Sequence, residues 1–228
     1  MKTTLFLAGG GNEKDSLKID THFIKCLKHK KIVYIPLALE PSVNGYESCF
    51  DWISSTLSKR LTDEFIDISM WTDLKNKKEM DLNSFDAVYI GGGNTYNLLK
   101  RIKEKGFDQI LINFYKNGGI IYGGSAGAII CGHDIATVEE ENEANYTDDK
   151  ALNLINDYSV ICHYTEIQKD KVLKYVREHK KQVIAIPERS GLIVENGENL
   201  SVVGYEPIYL FKTDSSVETV EIDSKITI

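Results

Sequence analysis

The chain has 228 residues, 42% of them apolar and 27% charged, and a net charge of −7. These values describe one ordinary globular domain over residues 1–228. The acidic balance and the lack of a basic patch exclude nucleic acid as the default partner.

Taken in order, Thr3 to Ala8 is a short apolar run that ends in Gly9-Gly10-Gly11 and reads as a first strand. The run is too short for a signal-peptide core or a membrane span, so a cytoplasmic protein with no membrane partner is expected. The glycine turn lacks the G-x-G-x-x-G spacing, and no acidic residue follows a second strand as a dinucleotide site requires. Asp15 to Lys30 carries Leu17, Phe23, Ile24 and Leu27 among charges, the spacing of an amphipathic helix. Lys31 to Leu37 is a buried-type strand closed by Pro36, Tyr46 to Arg60 a second helix, and Glu64 to Ile68 a third strand. Phe85 to Ile90 is a fourth strand, ending in Gly91-Gly92-Gly93-Asn94-Thr95. Asn94 or Thr95 can cap the next helix, whose apolar face holds Leu98, Leu99 and Ile102. Phe107 to Lys116 is a further helix, stopped by Asn117-Gly118-Gly119.

The next strand, Ile120-Ile121-Tyr122, runs into Gly123-Gly124-Ser125-Ala126-Gly127, and Ala128-Ile129-Ile130 starts a helix. Gly123, Ser125 and Gly127 have the G-x-S-x-G spacing of a nucleophile elbow, in which a serine sits exposed on a sharp strand-to-helix turn. The first N–H groups of the following helix lack intrahelical partners and can face developing negative charge. Past the elbow, Glu139 to Glu143 is an acidic loop. Tyr158 to Cys162 is a strand delivering His163-Tyr164, Lys169 to Lys180 a helix, and Gln182 to Pro187 a strand. Gly191 to Glu195, Leu200 to Val203, Ile208 to Phe211 and Val217 to Ile222 are short strands of an antiparallel C-terminal extension. Strands alternating with helices predict an α/β, flavodoxin-like fold: a mostly parallel sheet with helices on both faces. Ligands then sit beyond the carboxyl ends of the strands, where both Gly91-Gly92-Gly93 and Ser125 fall.

A serine nucleophile needs a base. His22, His29 and His179 lie in charged helical segments, and His133, eight residues past Ser125 at the far end of the elbow helix, would be carried about 12 Å away at 1.5 Å per residue. His163, at a strand end, is the candidate. A carboxylate must hold its tautomer; Glu139, Glu140, Glu141, Glu143 and Glu166 are the candidates. Ala126 N–H, with that of Gly92 or Gly93, could form an oxyanion hole. The four cysteines, Cys26, Cys49, Cys131 and Cys162, show no C-x-x-C spacing and read as reduced thiols, and the histidines and cysteines offer no zinc ligand set.

Gly91-Gly92-Gly93-Asn94-Thr95, Gly124-Ser125-Ala126-Gly127-Ala128 and His163-Tyr164 together resemble the peptidase E family, which includes the cyanophycinases. The resemblance covers residues 1 to about 190 and implies a class I glutamine amidotransferase-like fold. It implies serine hydrolysis of short peptides, in the manner of a dipeptidase or aminopeptidase, with no metal or cofactor, by a monomer or homodimer. Ser125 would be the nucleophile, His163 the base, and Ala126 with Gly92 or Gly93 the oxyanion donors. The family's third triad member, an aspartate, aligns with Glu140. Asn94 and Gln168 fall at substrate-binding positions. The family's aspartate-binding arginine aligns with Gln168, so strict preference for an N-terminal aspartate is not expected. Ile161 stands where cyanophycinases carry an acid, which disfavours cyanophycin. Hydrolysis of another small amide or ester, or a peptidase-like binding protein without catalysis, are the alternatives.

Overall fold

The computed structural model describes residues 2–40, 45–61 and 65–228. Its elements are β1 (Thr4–Ala8), α1 (Leu17–Cys26), β2 (Lys31–Ile35), α2 (Tyr46–Ser58), β3 (Asp67–Met70), β4 (Ala87–Ile90), α3 (Thr95–Lys103), α4 (Phe107–Lys116), β5 (Ile120–Gly124), α5 (Ala126–Ile129), β6 (Ser159–Cys162), α6 (Lys169–His179), β7 (Val183–Ile186), β8 (Ser190–Glu195), β9 (Asn199–Gly204), β10 (Ile208–Phe211), β11 (Val217–Val220) and β12 (Lys225–Thr227). The third strand predicted from Glu64 is β3; Glu64 itself lies outside the described residues.

The central strands are unbroken apolar runs because both of their faces are covered. Side chains alternate across a strand, so each run splits between two layers. Leu5, Leu7, Val33, Ile35, Val88, Ile90 and Ile121 pack with Leu98, Leu99, Ile102 and Leu111 of α3 and α4. Phe6, Ala8, Ile32, Tyr34, Tyr89 and Tyr122 pack on the other face with Ile19, Phe23, Ile24, Ile53 and Leu57 of α1 and α2. Leu5, Phe6 and Leu7 are fully buried, and each such side chain contributes about 1.5–3 kcal/mol by leaving water.

The main sheet has eight strands in the order β12-β9-β8-β1-β5-β4-β2-β3. The pairs β1–β5, β5–β4, β4–β2 and β2–β3 are parallel. β8 and β9, two strands of the expected C-terminal extension, continue it antiparallel together with β12, which the patterning does not predict, while the other two expected strands, β10 and β11, belong to a second sheet. Patterning alone does not separate β6 and β7 from the main sheet. They pair parallel with each other, Ser159 opposite Val183 through Cys162 opposite Ile186, in that second sheet, ordered β11-β10-β7-β6. Its apolar residues include Ile161, Val183, Ala185 and Phe211, packed on Val172 and Val176 of α6. The two sheets are joined at the carboxyl end of β1, where the His163 N–H just past β6 donates to Gly9 O at 2.9 Å, while the Gly9 N–H donates within the main sheet to Ser190 O of β8 at 3.0 Å. Among the described residues, no helix is long and apolar enough to cross a membrane.

Candidate active site

Ser125 follows β5 directly and precedes α5, with φ 49° and ψ −111°. A side-chain-bearing residue in such a conformation costs about 1–3 kcal/mol. Its surroundings hold it there. A Cβ at Gly123 would lie 2.4 Å from Gly127 O, and one at Gly127 would lie 2.2 Å from Ile90 O. The G-x-S-x-G glycines therefore let β5, α5 and β4 approach closely enough to force the turn. Ser125 N–H donates to Ala8 O at 3.0 Å, while Ser125 O accepts from the N–H groups of Ala128 and Ile129 at 2.8 and 3.0 Å. With its backbone fixed from both directions, the hydroxyl is left to face outward.

That hydroxyl donates to His163 Nε2 at 2.7 Å. His163 Nδ1 in turn donates to Glu188 Oε1 at 2.8 Å. The acceptor on one side and the hydroxyl on the other assign the imidazole proton to Nδ1. His163 also has a positive φ, 52°. Its ring rests on Gly10, where a Cβ would come within 2.1 Å of His163 Cε1. Glu188 sits in the tight turn after β7, closed by Ser190 N–H donating to Pro187 O at 3.1 Å. Arg189 anchors this turn: its Nε lies 3.4 Å from Asp15 Oδ1, its guanidinium 5.0 Å from the Tyr205 ring centre, and its carbonyl accepts Tyr205 N–H at 2.8 Å.

The carboxylate beside His163 is thus Glu188 and not Glu140, the residue alignment proposes. Glu140 Oε1 accepts the Thr95 N–H at 2.8 Å, which holds it at the start of α3. Of the other acids, Glu139 pairs with Lys171 and Glu166 lies 3.7 Å from Lys169, and neither Glu141 nor Glu143 bonds the imidazole, whose partners are Ser125 and Glu188. Glu141 uses its backbone, accepting from Asn94 Nδ2 at 2.9 Å. Asn94 is a helix cap, its Oδ1 accepting Asn97 N–H at 2.9 Å, and it lines neither cavity described below, contrary to the expected substrate contact. His133 sits 3.4 Å from Asp157, apart from the site.

Sequence reasoning missed two features. Glu188 follows a predicted strand by one residue, at the carboxyl end where sites gather; that position was the available signal. The Gly9-Gly10 turn, which lacks dinucleotide spacing, seats the imidazole instead.

Gly92 abuts the serine: a Cβ there would lie 3.1 Å from Ser125 Cβ and 3.7 Å from Oγ. Among the described residues, the N–H groups of Gly92 and Ala126 have no protein acceptor. Gly93, at φ 136°, packs against Ala38, and its N–H likewise has no protein acceptor among the described residues. Two cavities meet at Ser125 and His163. One, of about 330 Å³, is walled by Tyr34, Leu39, Trp52, Tyr89 and Tyr122. The other, of about 270 Å³, is walled by Thr95, Thr137, Glu139, Glu140 and Gln168. Neither has a lysine or arginine in its wall among the described residues.

Beneath the aromatic cavity, Asp20 is buried and accepts from Tyr122 Oη and Ser16 Oγ at 2.7 and 2.8 Å. Burial raises its carboxyl above the usual range, and burial likewise raises the Tyr89 and Tyr122 phenols. Cys162, next to the base, is buried, which pushes its thiol well up and leaves it no thiolate nucleophile. Among the described residues, no group of three or more His, Cys, Asp or Glu side chains is arranged to hold a metal ion.

Substituting Gly92→Ala places a methyl against Ser125 and displaces the nearby N–H. A displacement of about 1 Å can cost on the order of 10² in rate, and the methyl requires Ser125 to give by only a few tenths of an ångström, so turnover should fall by about 10-fold. Thermal unfolding should shift little, since Ser125 Cβ need move by only a few tenths of an ångström to relieve the 3.1 Å contact.

Known proteins share this arrangement's framework. The chain is 24% identical over 239 residues to peptidase E of Actinobacillus pleuropneumoniae serotype 5b, covering 98% of each chain. It is 30% identical over 230 residues to the uncharacterized peptidase YgaJ of Bacillus subtilis strain 168, covering 95% of this chain and 88% of that one. The crystal structure of a peptidase from an acI-B1 Actinobacterium superposes with a TM-score of 0.74 at 18% identity, over 100% of this chain and 98% of that one, and so shares the fold. Residues 5–202 match the model of Peptidase family S51, and the chain belongs to that family of serine peptidases.

Proposed function

We propose that this peptidase hydrolyses short peptides, as a dipeptidase or aminopeptidase does, through an acyl-enzyme on Ser125. The observation that carries the reading is the unbroken run of hydrogen bonds from Ser125 Oγ through the His163 ring to Glu188. In the first half-reaction His163 Nε2 takes the serine proton as Oγ attacks the scissile carbonyl. The tetrahedral oxyanion is stabilised by the Gly92 and Ala126 N–H groups. Imidazolium then gives its proton to the leaving amine as the C–N bond breaks. Water, deprotonated by the same nitrogen, cleaves the ester and frees Ser125. Glu188 positions His163 and balances the imidazolium charge without taking its proton. A cavity on either side of Ser125 suits a bond flanked by one residue on each side. The lack of a cationic side chain in either wall argues against strict selection of aspartate.

The test is a dipeptide and tripeptide library assayed alongside labelling by a fluorophosphonate. We expect turnover of short peptides and a single adduct mapped to Ser125. Labelling with no peptide turnover would favour an ester or small-amide hydrolase; no labelling would remove the catalytic reading.

A further inference from the structure

Glu140 lies outside the serine–histidine–glutamate run, yet it lines a cavity that Ser125 and His163 also line. Its Oε1 is fixed by the Thr95 N–H at 2.8 Å, whereas Oε2 has no protein donor among the described residues. The charges of the wall can be counted. Glu139 is matched by Lys171, whose hydrogen bond and charge hold its carboxyl below the usual range. Gln168 is neutral, and its Oε1 accepts the Thr165 N–H at 2.8 Å. No lysine or arginine lines the cavity among the described residues, so within this wall the Glu140 carboxylate is the charge left without a cationic side chain to pair it. A half-enclosed cavity strengthens such a charge relative to open water.

We propose that Glu140 makes this cavity select a cationic group, an ammonium or guanidinium, on the substrate next to the scissile bond. The proposal rests on the peptidase reading above. One chemistry has two sources: the free α-amino group of a short peptide, or a lysine or arginine side chain. An incoming carboxylate would instead meet Glu140 with nothing to neutralise it. Glu140→Gln keeps an oxygen for the Thr95 N–H and removes only the charge, so it separates charge selection from support of α3.

The experiment measures kcat/KM for matched short peptides with lysine or its neutral analogue norleucine on each side of the bond, and with the amino terminus free or acetylated. A charge-assisted hydrogen bond supports about a 10-fold to 100-fold preference. We expect wild type to favour at least one cationic member of these pairs by about that factor. Glu140→Gln should bring the same ratio to within about threefold of unity, and Glu140→Lys should invert it. The pair that responds names the source: α-amine or side chain. Hydrolysis of all peptides with no cationic preference, or a preference that survives in Glu140→Gln, overturns this proposal and leaves the peptidase reading standing. Absence of any turnover and of any fluorophosphonate adduct overturns both.

Discussion

Replacing Ser125 with alanine is expected to lower kcat for a short peptide by at least about 10⁴-fold, because removing a triad nucleophile leaves only binding and oxyanion stabilisation. The fold should survive. The substitution deletes one oxygen and one hydrogen bond, to His163. The bonds that fix the turn belong to the backbone: Ser125 N–H to Ala8 O, and Ser125 O to Ala128 and Ile129. Alanine bears the same φ of 49° at no greater cost than serine, since both carry one Cβ. Circular dichroism and thermal unfolding check the fold, and peptide turnover checks the chemistry. Full turnover in the alanine variant would place the nucleophile elsewhere.

The second large effect belongs to Glu188. Glu188→Ala removes the acceptor for Nδ1–H, so the ring can turn or carry its proton on the wrong nitrogen. It also removes the negative charge that offsets the imidazolium in the transition state. Fully buried triads lose on the order of 10⁴ when this partner is lost. Here the His163 and Glu188 side chains are 47% and 56% exposed, so water replaces part of what is lost. The expected fall in kcat is therefore about 10²–10³, with KM changed by less than about threefold, since Glu188 lines neither cavity. Glu188→Gln keeps an acceptor oxygen and should fall between wild type and alanine. Equal rates for glutamate and alanine would leave Glu188 as a surface acid.

Much of this architecture is legible in the sequence because its signals are local. Ile120 to Gly127 carries both the apolar run and the glycines that the elbow needs, within eight residues of chain. His163 follows a strand that any periodicity reading finds. Asn94 shows the limit of a local signal: it is a good cap, its side chain is used as one, with Oδ1 on the Asn97 N–H and Nδ2 on Glu141 O, and it lines neither cavity. The third carboxylate was not legible because its position depends on how two sheets meet. β6 and β7 leave the main sheet, and their parallel pairing brings Cys162 opposite Ile186, so His163 and the Pro187-Glu188 turn emerge side by side. Nothing in the spacing of Glu188 from Ser125 reveals that pairing. Glu140, nearer in sequence, is drawn instead to the open N–H at the start of α3, a demand that every helix start makes. The first glycine turn is a similar case. Its lack of a side chain answers to an imidazole arriving from 153 residues away, from Gly10 to His163.

The assignment of Glu188 as the residue that positions His163 is tested most directly by the rate at which an uncharged fluorophosphonate labels Ser125. That rate reports activation of the hydroxyl without depending on peptide binding. It should fall by about 100-fold or more in Glu188→Ala and much less in Glu140→Gln, since the Glu140 carboxylate bonds the Thr95 N–H and not the imidazole. Slow labelling in Glu140→Gln with a wild-type rate in Glu188→Ala would contradict the account and return the third position to the acidic loop.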